Sequence, residues 1–251
     1  MEYAQMTFWL VVIVFTALGV HRLWSSLVEP KVVNSVLLPG TLVAQLGYVL
    51  GLLITGGTVN NTTLIKDDDS GEPETGDDAQ TRVPLIGTII IALLPMVGCA
   101  VAIYWVSRYF GTSILSGMEA ASLSRLSLPT SLSLFFGMLR QAVNLIEELV
   151  TVVRGQDLTD WRTLLFLYLV ICLTVRMAPL TGNIRGALGA ILLTGILAFL
   201  AGQIFTSTAG PLGSTWPLIT FSVAVLLLLL IISLVVKGTV CLVKTLGSSK
   251  G

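Results

Sequence analysis

Histidine is almost missing from this sequence, cysteine is sparse and charge is thin. His21 stands alone among 251 residues, and Cys99, Cys172 and Cys241 are the three cysteines. No His, Cys, Asp and Glu cluster has the spacing of a transition-metal site, so no metal and no cofactor are expected. An odd cysteine count without short spacing supplies no disulfide framework. Each cysteine lies in or beside an apolar run and reads as a small buried apolar side chain. His21 closes the first apolar run beside Arg22 and Trp24, the place of an interfacial residue. A phosphate-cradling loop, a dinucleotide fingerprint and a G-x-S-x-G elbow are all absent. No internal repeat is evident, so the inverted-repeat signature of many transporters is missing too. Only 11% of the residues are charged, 14 basic against 14 acidic. That balance offers no surface for a polyanion and excludes nucleic acid as a partner.

What fills the chain instead is apolar, 54% of it. A bilayer core takes about 20 apolar residues of helix. Six stretches meet or approach that length: Thr7–Leu23, Val36–Ile54, Pro84–Val106, Trp161–Met177, Gly186–Phe205 and Leu218–Val236. They must be helical, because lipid offers backbone groups no partner. The first carries Glu2 ahead of it and ends in "HRLW", which is not the form of a cleaved signal peptide. The fold expected is all-α: a polytopic integral membrane protein, residues 1–251 as a single membrane domain. It has about six transmembrane helices and one amphipathic helix. The bilayer is its solvent, and a bacterial inner membrane is the expected location. Lys237, Lys244 and Lys250 favour a cytoplasmic C-terminus, and an even span count puts the N-terminus on the same side.

Two stretches are not spans. Residues 60–82, "NNTTLIKDDDSGEPETGDDAQTR", hold seven acids between Asp67 and Asp78 and read as a solvated loop. Their spacing does not make an EF-hand. Residues 131–154, "SLSLFFGMLRQAVNLIEELVTVVR", follow Pro129. Here Leu132, Phe136, Leu139, Val143, Ile146, Val150 and Val153 recur at steps of four and three, and Phe135, Met138, Ala142, Leu145, Leu149 and Val152 widen that stripe. Arg140, Asn144, Glu147, Glu148 and Thr151 share the other side. This is an amphipathic helix too charged for a lipid-exposed span. It suits the membrane interface, packing under the spans, or docking a partner helix. Leu139, Val143, Ile146 and Val150 are its candidate partner-binding residues.

One apolar stretch carries polar groups one turn apart. "PGTLVAQLGYVLGLLITGGTV", from Pro39, places Gln45 and Tyr48 inside a span. It resembles the metal-binding helix of the site-2 protease family, the intramembrane zinc metalloproteases, whose members show H-E-x-x-H, then small and apolar residues, then a T-G-G or T-G-A exit. Leu46-Gly47, Val49–Ile54, Thr55-Gly56-Gly57 and Val59 occupy the corresponding frame. Ala44 and Tyr48 stand at the two histidine positions and Gln45 at the glutamate. "VPLIGTIIIALLPMVGCAVAIYWVSRYFG", from Val83, is similar to the next family helix with its Ala-x-x-Pro core. "RTLLFLYLVICLTVRMAPLTGNIRGALGAIL", from Arg162, is similar to the segment supplying an aspartate, and Asn183 is the best match to it. The three pieces cover about half the chain.

The resemblance implies a degenerate family member, a pseudoprotease with a relic site at Ala44, Gln45, Tyr48 and Asn183. Ala44 has no lone pair to give an ion. Tyr48 is a neutral phenol near pH 7, with a reference pKa of about 10. Gln45 is an amide that cannot take the proton of an attacking water. Hydrolysis by the family's route is excluded, and the chain is not expected to be an enzyme. A plainer reading has Gln45 and Tyr48 hydrogen-bonding to neighbouring helices. The function expected is a structural or partner-binding subunit of a membrane complex, a scaffold holding other membrane proteins or transmembrane segments. The alternative is a small-solute transporter or channel component using Gln45, Tyr48, Asn183, Arg176 and Gln203. Elemental analysis of the purified protein should find no stoichiometric zinc. About one tightly held zinc per chain would overturn the reading.

Overall fold

A computed structural model describes residues 2–56, 84–119, 131–157, 159–177 and 211–248, with 189, 193, 195 and 196. The acidic stretch 60–82, Asn183 and Gln203 lie outside the described residues. Regular structure among the described residues is all α-helix. In chain order the helices are α1 (Glu2–Leu27), α2 (Pro30–Val36), α3 (Leu38–Ile54), α4 (Pro84–Phe110), α5 (Thr112–Glu119), α6 (Leu132–Arg154), α7 (Trp161–Arg176) and α8 (Pro211–Ser248).

Three of these, α1, α4 and α8, are long and apolar enough to cross a membrane. The protein is thus a helical chain of membrane-spanning character, with fewer full-length spans described than the six expected. One expected span, Val36–Ile54, is not a single helix. It breaks at Leu37, where α2 and α3 meet at 82°. Counted as one bent span, the pair makes a fourth. The expected span Trp161–Met177 is a helix of 16 residues, or about 24 Å at 1.5 Å per residue, short of a hydrocarbon core of about 30 Å.

Small residues bring α3 against its neighbours. Gly40, Ala44, Gly47 and Gly51 fall on one narrow stripe of α3, and all four are buried. A Cβ at Gly47 would lie 2.7 Å from the Leu94 carbonyl oxygen and from the Pro95 backbone. One at Gly51 would lie 2.9 Å from Ile91 Cα. Val43 meets Gly98, so α3 and α4 run antiparallel. Gly47-x-x-x-Gly51 is the small-residue pattern that lets membrane helices approach closely. It sits opposite Pro95, which has no N–H to give Ile91 and so weakens α4 at that turn. The end of α3 is set by Gly56 at φ 70°, a left-handed conformation that glycine adopts without strain.

At the centre, Phe166 of α7 packs on Phe221 of α8 with ring centroids 5.5 Å apart, and both are fully buried. Phe166 also fills the bend between α4 and α5, where a Cβ on Gly111 would come within 2.4 Å of its ring.

α1 and α8 run parallel. Leu10 and Ile13 face Leu218, Ile219 and Ser222 across an apolar cavity of about 350 Å³. Further along, Gly19 meets Leu230, and Trp24 Nε1 donates to Ser233 Oγ at 2.7 Å. Rising numbers on one helix pair with rising numbers on the other. Two parallel helices that cross a bilayer begin on one side and end on the other. The N-terminal ends of α1 and α8 thus point the same way, whereas an even count of crossings implies that the first and last spans run antiparallel.

The amphipathic helix runs over Leu132–Arg154. Ser131 caps it by accepting from Leu134 N, and Gly155 follows it. Its apolar stripe is divided. Leu145 and Leu149 are buried in the common core, with Val152 and Val153 packed against it. Ile146 and Val150 are half-buried, whereas Leu132, Phe136 and Val143 are exposed. The expected stripe is thus turned, so that the flank through Leu145 and Leu149 faces the bundle.

The close approach at Gly47 predicts that Gly47→Ala destabilises the protein. Alanine is the better helix former by about 1 kcal/mol. Overpacking against backbone that cannot yield costs about 1–3 kcal/mol and decides the sign. Leu46→Ala, at a site 65% exposed, serves as the control. Thermal unfolding in detergent should show a lower midpoint for Gly47→Ala than for Leu46→Ala.

Candidate functional site

The bend between α2 and α3 exposes backbone groups that a straight helix would pair, and α7 covers them. In an unbroken helix the Val36 carbonyl would accept from the Gly40 N–H. Here it accepts from Tyr168 Oη at 2.8 Å and from Cys172 Sγ at 3.5 Å. One turn further along α7, Arg176 Nη2 donates to Asn34 Oδ1 on α2. Tyr168, Cys172 and Arg176 are four residues apart and share one flank of α7. That flank fits closely only because Gly40 lacks a side chain. A Cβ there would meet the Cys172 carbonyl oxygen at 2.3 Å and Arg176 Cγ at 3.0 Å. Thr41 returns its hydroxyl to the Leu37 carbonyl at 3.1 Å.

Arg176 is only 6% exposed and Asn34 only 7%. A guanidinium stays charged at any working pH, so burial obliges it to find acceptors. Cys99 of α4 and Cys172 both lie within electrostatic reach of Arg176. The site is therefore a polar junction of α2, α3, α4 and α7, buried at Arg176 and Asn34 and exposed at Tyr168 and Val36. It can hold hydrogen bonds and a fixed positive charge.

The sequence-derived residues fall as follows. Ala44 is fully buried, on the small-residue stripe of α3. Gln45 is buried and Tyr48 half-buried, and both engage neighbouring groups. Neither shares the exposed flank of Leu42, Leu46, Leu50 and Leu53. Asn183 and the surrounding segment 178–187 lie outside the described residues. Among the described residues no three of His, Cys, Asp and Glu come together as a metal site. Of the proposed docking residues, Val143 is exposed and Ile146 and Val150 are half-buried; the Leu139 side chain is outside the described set.

Sequence reasoning selected Arg176 but missed Asn34 and Tyr168. The i, i+4, i+8 ladder of Tyr168, Cys172 and Arg176 on an apolar helix was the available signal. Asn34 carried none, because its partner is 142 residues away.

Two acids flank the bundle on α6 and the following turn. Glu148 has a buried Oε1 with no hydrogen-bond partner among the described residues, and burial raises its carboxyl above the usual range. Asp157 is held below that range by the hydroxyl and N–H of Thr159.

Comparison with known proteins returns nothing: no family model, no curated protein and no solved structure matches the chain.

The junction predicts graded losses. Tyr168→Phe removes one donor from a backbone carbonyl and should cost about 0.5–1.5 kcal/mol. Asn34→Ala removes an acceptor from a buried charge and should cost about 1.5–3 kcal/mol. Unfolding midpoints measured in one detergent check the order. Asn34→Ala as mild as Tyr168→Phe would show that the Arg176 contact carries little.

Proposed function

We propose that this chain is a non-catalytic integral membrane protein, a structural or partner-binding subunit of a membrane complex. In this reading it is a degenerate relative of the site-2 proteases, in which Ala44, Gln45, Tyr48 and Asn183 mark a relic site. A bacterial inner membrane is the setting. The observation that carries the reading is the divided stripe of α6. Leu145 and Leu149 fasten the helix to its own bundle. Leu132, Phe136 and Val143 stay 75%, 62% and 60% exposed. With Leu139 they follow at steps of four, three and four, an apolar ridge suited to another helix. Fastening on one flank holds the ridge in a fixed direction, which lowers the ordering cost of association. The parallel course of α1 and α8 favours an odd number of crossings over the expected six.

The buried Arg176–Asn34 pair at a broken helix favours a second reading, passage of a small solute. Discontinuous membrane helices and intramembrane charges commonly mark such paths. Binding at the junction would raise the unfolding midpoint with the logarithm of solute concentration above its Kd.

Purification in mild detergent separates the two. The subunit reading predicts a stoichiometric partner retained by the wild type and lost from Leu132→Asp and Val143→Asp. Those variants should unfold within about 0.5 kcal/mol of the wild type, as exposed sites do. Leu145→Asp buries a carboxylate and should lose several kcal/mol. A wild type that purifies alone, or a partner that survives both changes on the ridge, contradicts the proposal.

A further inference from the structure

The C-terminal end of α8 runs on after its neighbour has stopped. The register of α1 on α8 is steady, with Gly19 at Leu230 and Trp24 at Ser233. Continued at the same rise, it brings Leu27, the last residue of α1, level with about Lys237. Helix α8 goes on to Ser248, about 16 Å further at 1.5 Å per residue. An independent length agrees. From Pro217, where the apolar run of α8 begins, to Lys237 is about 30 Å, one hydrocarbon thickness. The apolar run itself continues to Thr245, 29 residues in all.

That projecting end has two unlike flanks. Ser233, Lys237, Cys241, Lys244 and Ser248 follow at steps of four, four, three and four, so they share one flank, the flank Ser233 turns toward Trp24 of α1. The rest of the circumference is mostly apolar and uncovered by the described residues: Val240 is 40% exposed, Leu242 60% and Val243 66%, and the hydroxyls of Thr239 and Thr245 turn back to the helix's own carbonyls. The charge is of one sign. No acidic residue follows Asp160 in the sequence, and Lys250 adds a third lysine beyond the helix. The nearby end of α1 contributes Arg22, which is exposed.

We infer that the last three turns of α8 form a binding site for anionic phospholipid headgroups, with Lys237 and Lys244 as the headgroup-contacting residues. Lys237 stands level with the edge of the hydrocarbon and Lys244 about 10 Å beyond it, so the stems of both can reach headgroup phosphates. Long cationic side chains do this at membrane interfaces. Charge complementarity selects anionic over zwitterionic lipid, because basic residues near a bilayer surface are attracted by its negative potential. The site also fixes which face of the membrane this end of the bundle occupies, the one whose leaflet is richer in anionic lipid. It is separate from the ridge on α6, so it stands or falls independently of partner binding.

The test uses the full chain and native mass spectrometry, titrating phosphatidylglycerol against phosphatidylcholine. The wild type should retain phosphatidylglycerol preferentially. Each lysine near a surface contributes about fivefold, so K237Q/K244Q should bind it roughly thirtyfold more weakly. Arg140→Gln removes an exposed charge from α6 and should leave the preference unchanged. Both substitutions are at exposed positions and should leave the unfolding midpoint in place. An unchanged preference in K237Q/K244Q, or an equal loss in Arg140→Gln, overturns the inference. Exposed Cys241 supplies a second readout, since it lies on the lysine flank. Oxidation in phosphatidylglycerol membranes should give no cross-linked dimer. Efficient Cys241–Cys241 linkage would assign the surface to a second copy of the chain instead.

Discussion

A helix cannot break inside a membrane unless the protein replaces the water that is missing there. This constraint governs the bend at Leu37. An unsatisfied backbone group in hydrocarbon costs several kcal/mol, comparable with the whole stability of a domain. The Val36 carbonyl is met by Tyr168 and Cys172, and Asn34 is met by Arg176. Those three α7 residues can reach the bend only because Gly40 leaves room for the Cys172 backbone. Remove the glycine and the donors are held off; remove the donors and the bend is left with a bare carbonyl. The 82° turn is the feature these contacts satisfy.

Below the bend the interaction changes character. Polar groups give way to surface fit, since lipid supplies no hydrophobic drive between helices and close packing must supply the attraction. Gly47 and Gly51 lie against the turn of α4 that Pro95 weakens. Ala44 belongs to the same small-residue stripe. The stretch that resembles a metal-binding helix thus has a packing role of its own, and its Thr55-Gly56 exit is a helix terminator, with Gly56 in the left-handed region. Packing accounts for Ala44 and the glycines. Gln45, buried, and Tyr48, half-buried, each engage a neighbouring group on the flank beside that stripe.

Much of this was legible in the sequence, and the unread part has a physical cause. Apolar length identified α1, α4 and α8, because a bilayer sets that length directly. Period identified α6: the apolar stripe and the charged face opposite it are local signals. The bend at Leu37 was not legible, since Pro39 and Gly40 follow it and are equally at home in the first turn of a straight helix. Which flank of α6 turns inward was not legible either. Periodicity gives a stripe, and only the neighbours decide that Leu145 is inside while Val143 is outside. The pairing of Asn34 with Arg176 is a tertiary fact, as is the parallel course of α1 and α8. Span counting alone put both ends on one side.

That parallel course supports most of the account, since it bears on whether the crossings are odd or even and on the side to which α8 projects relative to the start of α1. Reporter fusions at the two ends of the chain test it directly, using a phosphatase active only outside the cytoplasm and a fluorescent protein active only within it. The account predicts opposite results at the two termini, with the C-terminus on the cytoplasmic side. The same result at both ends would contradict it.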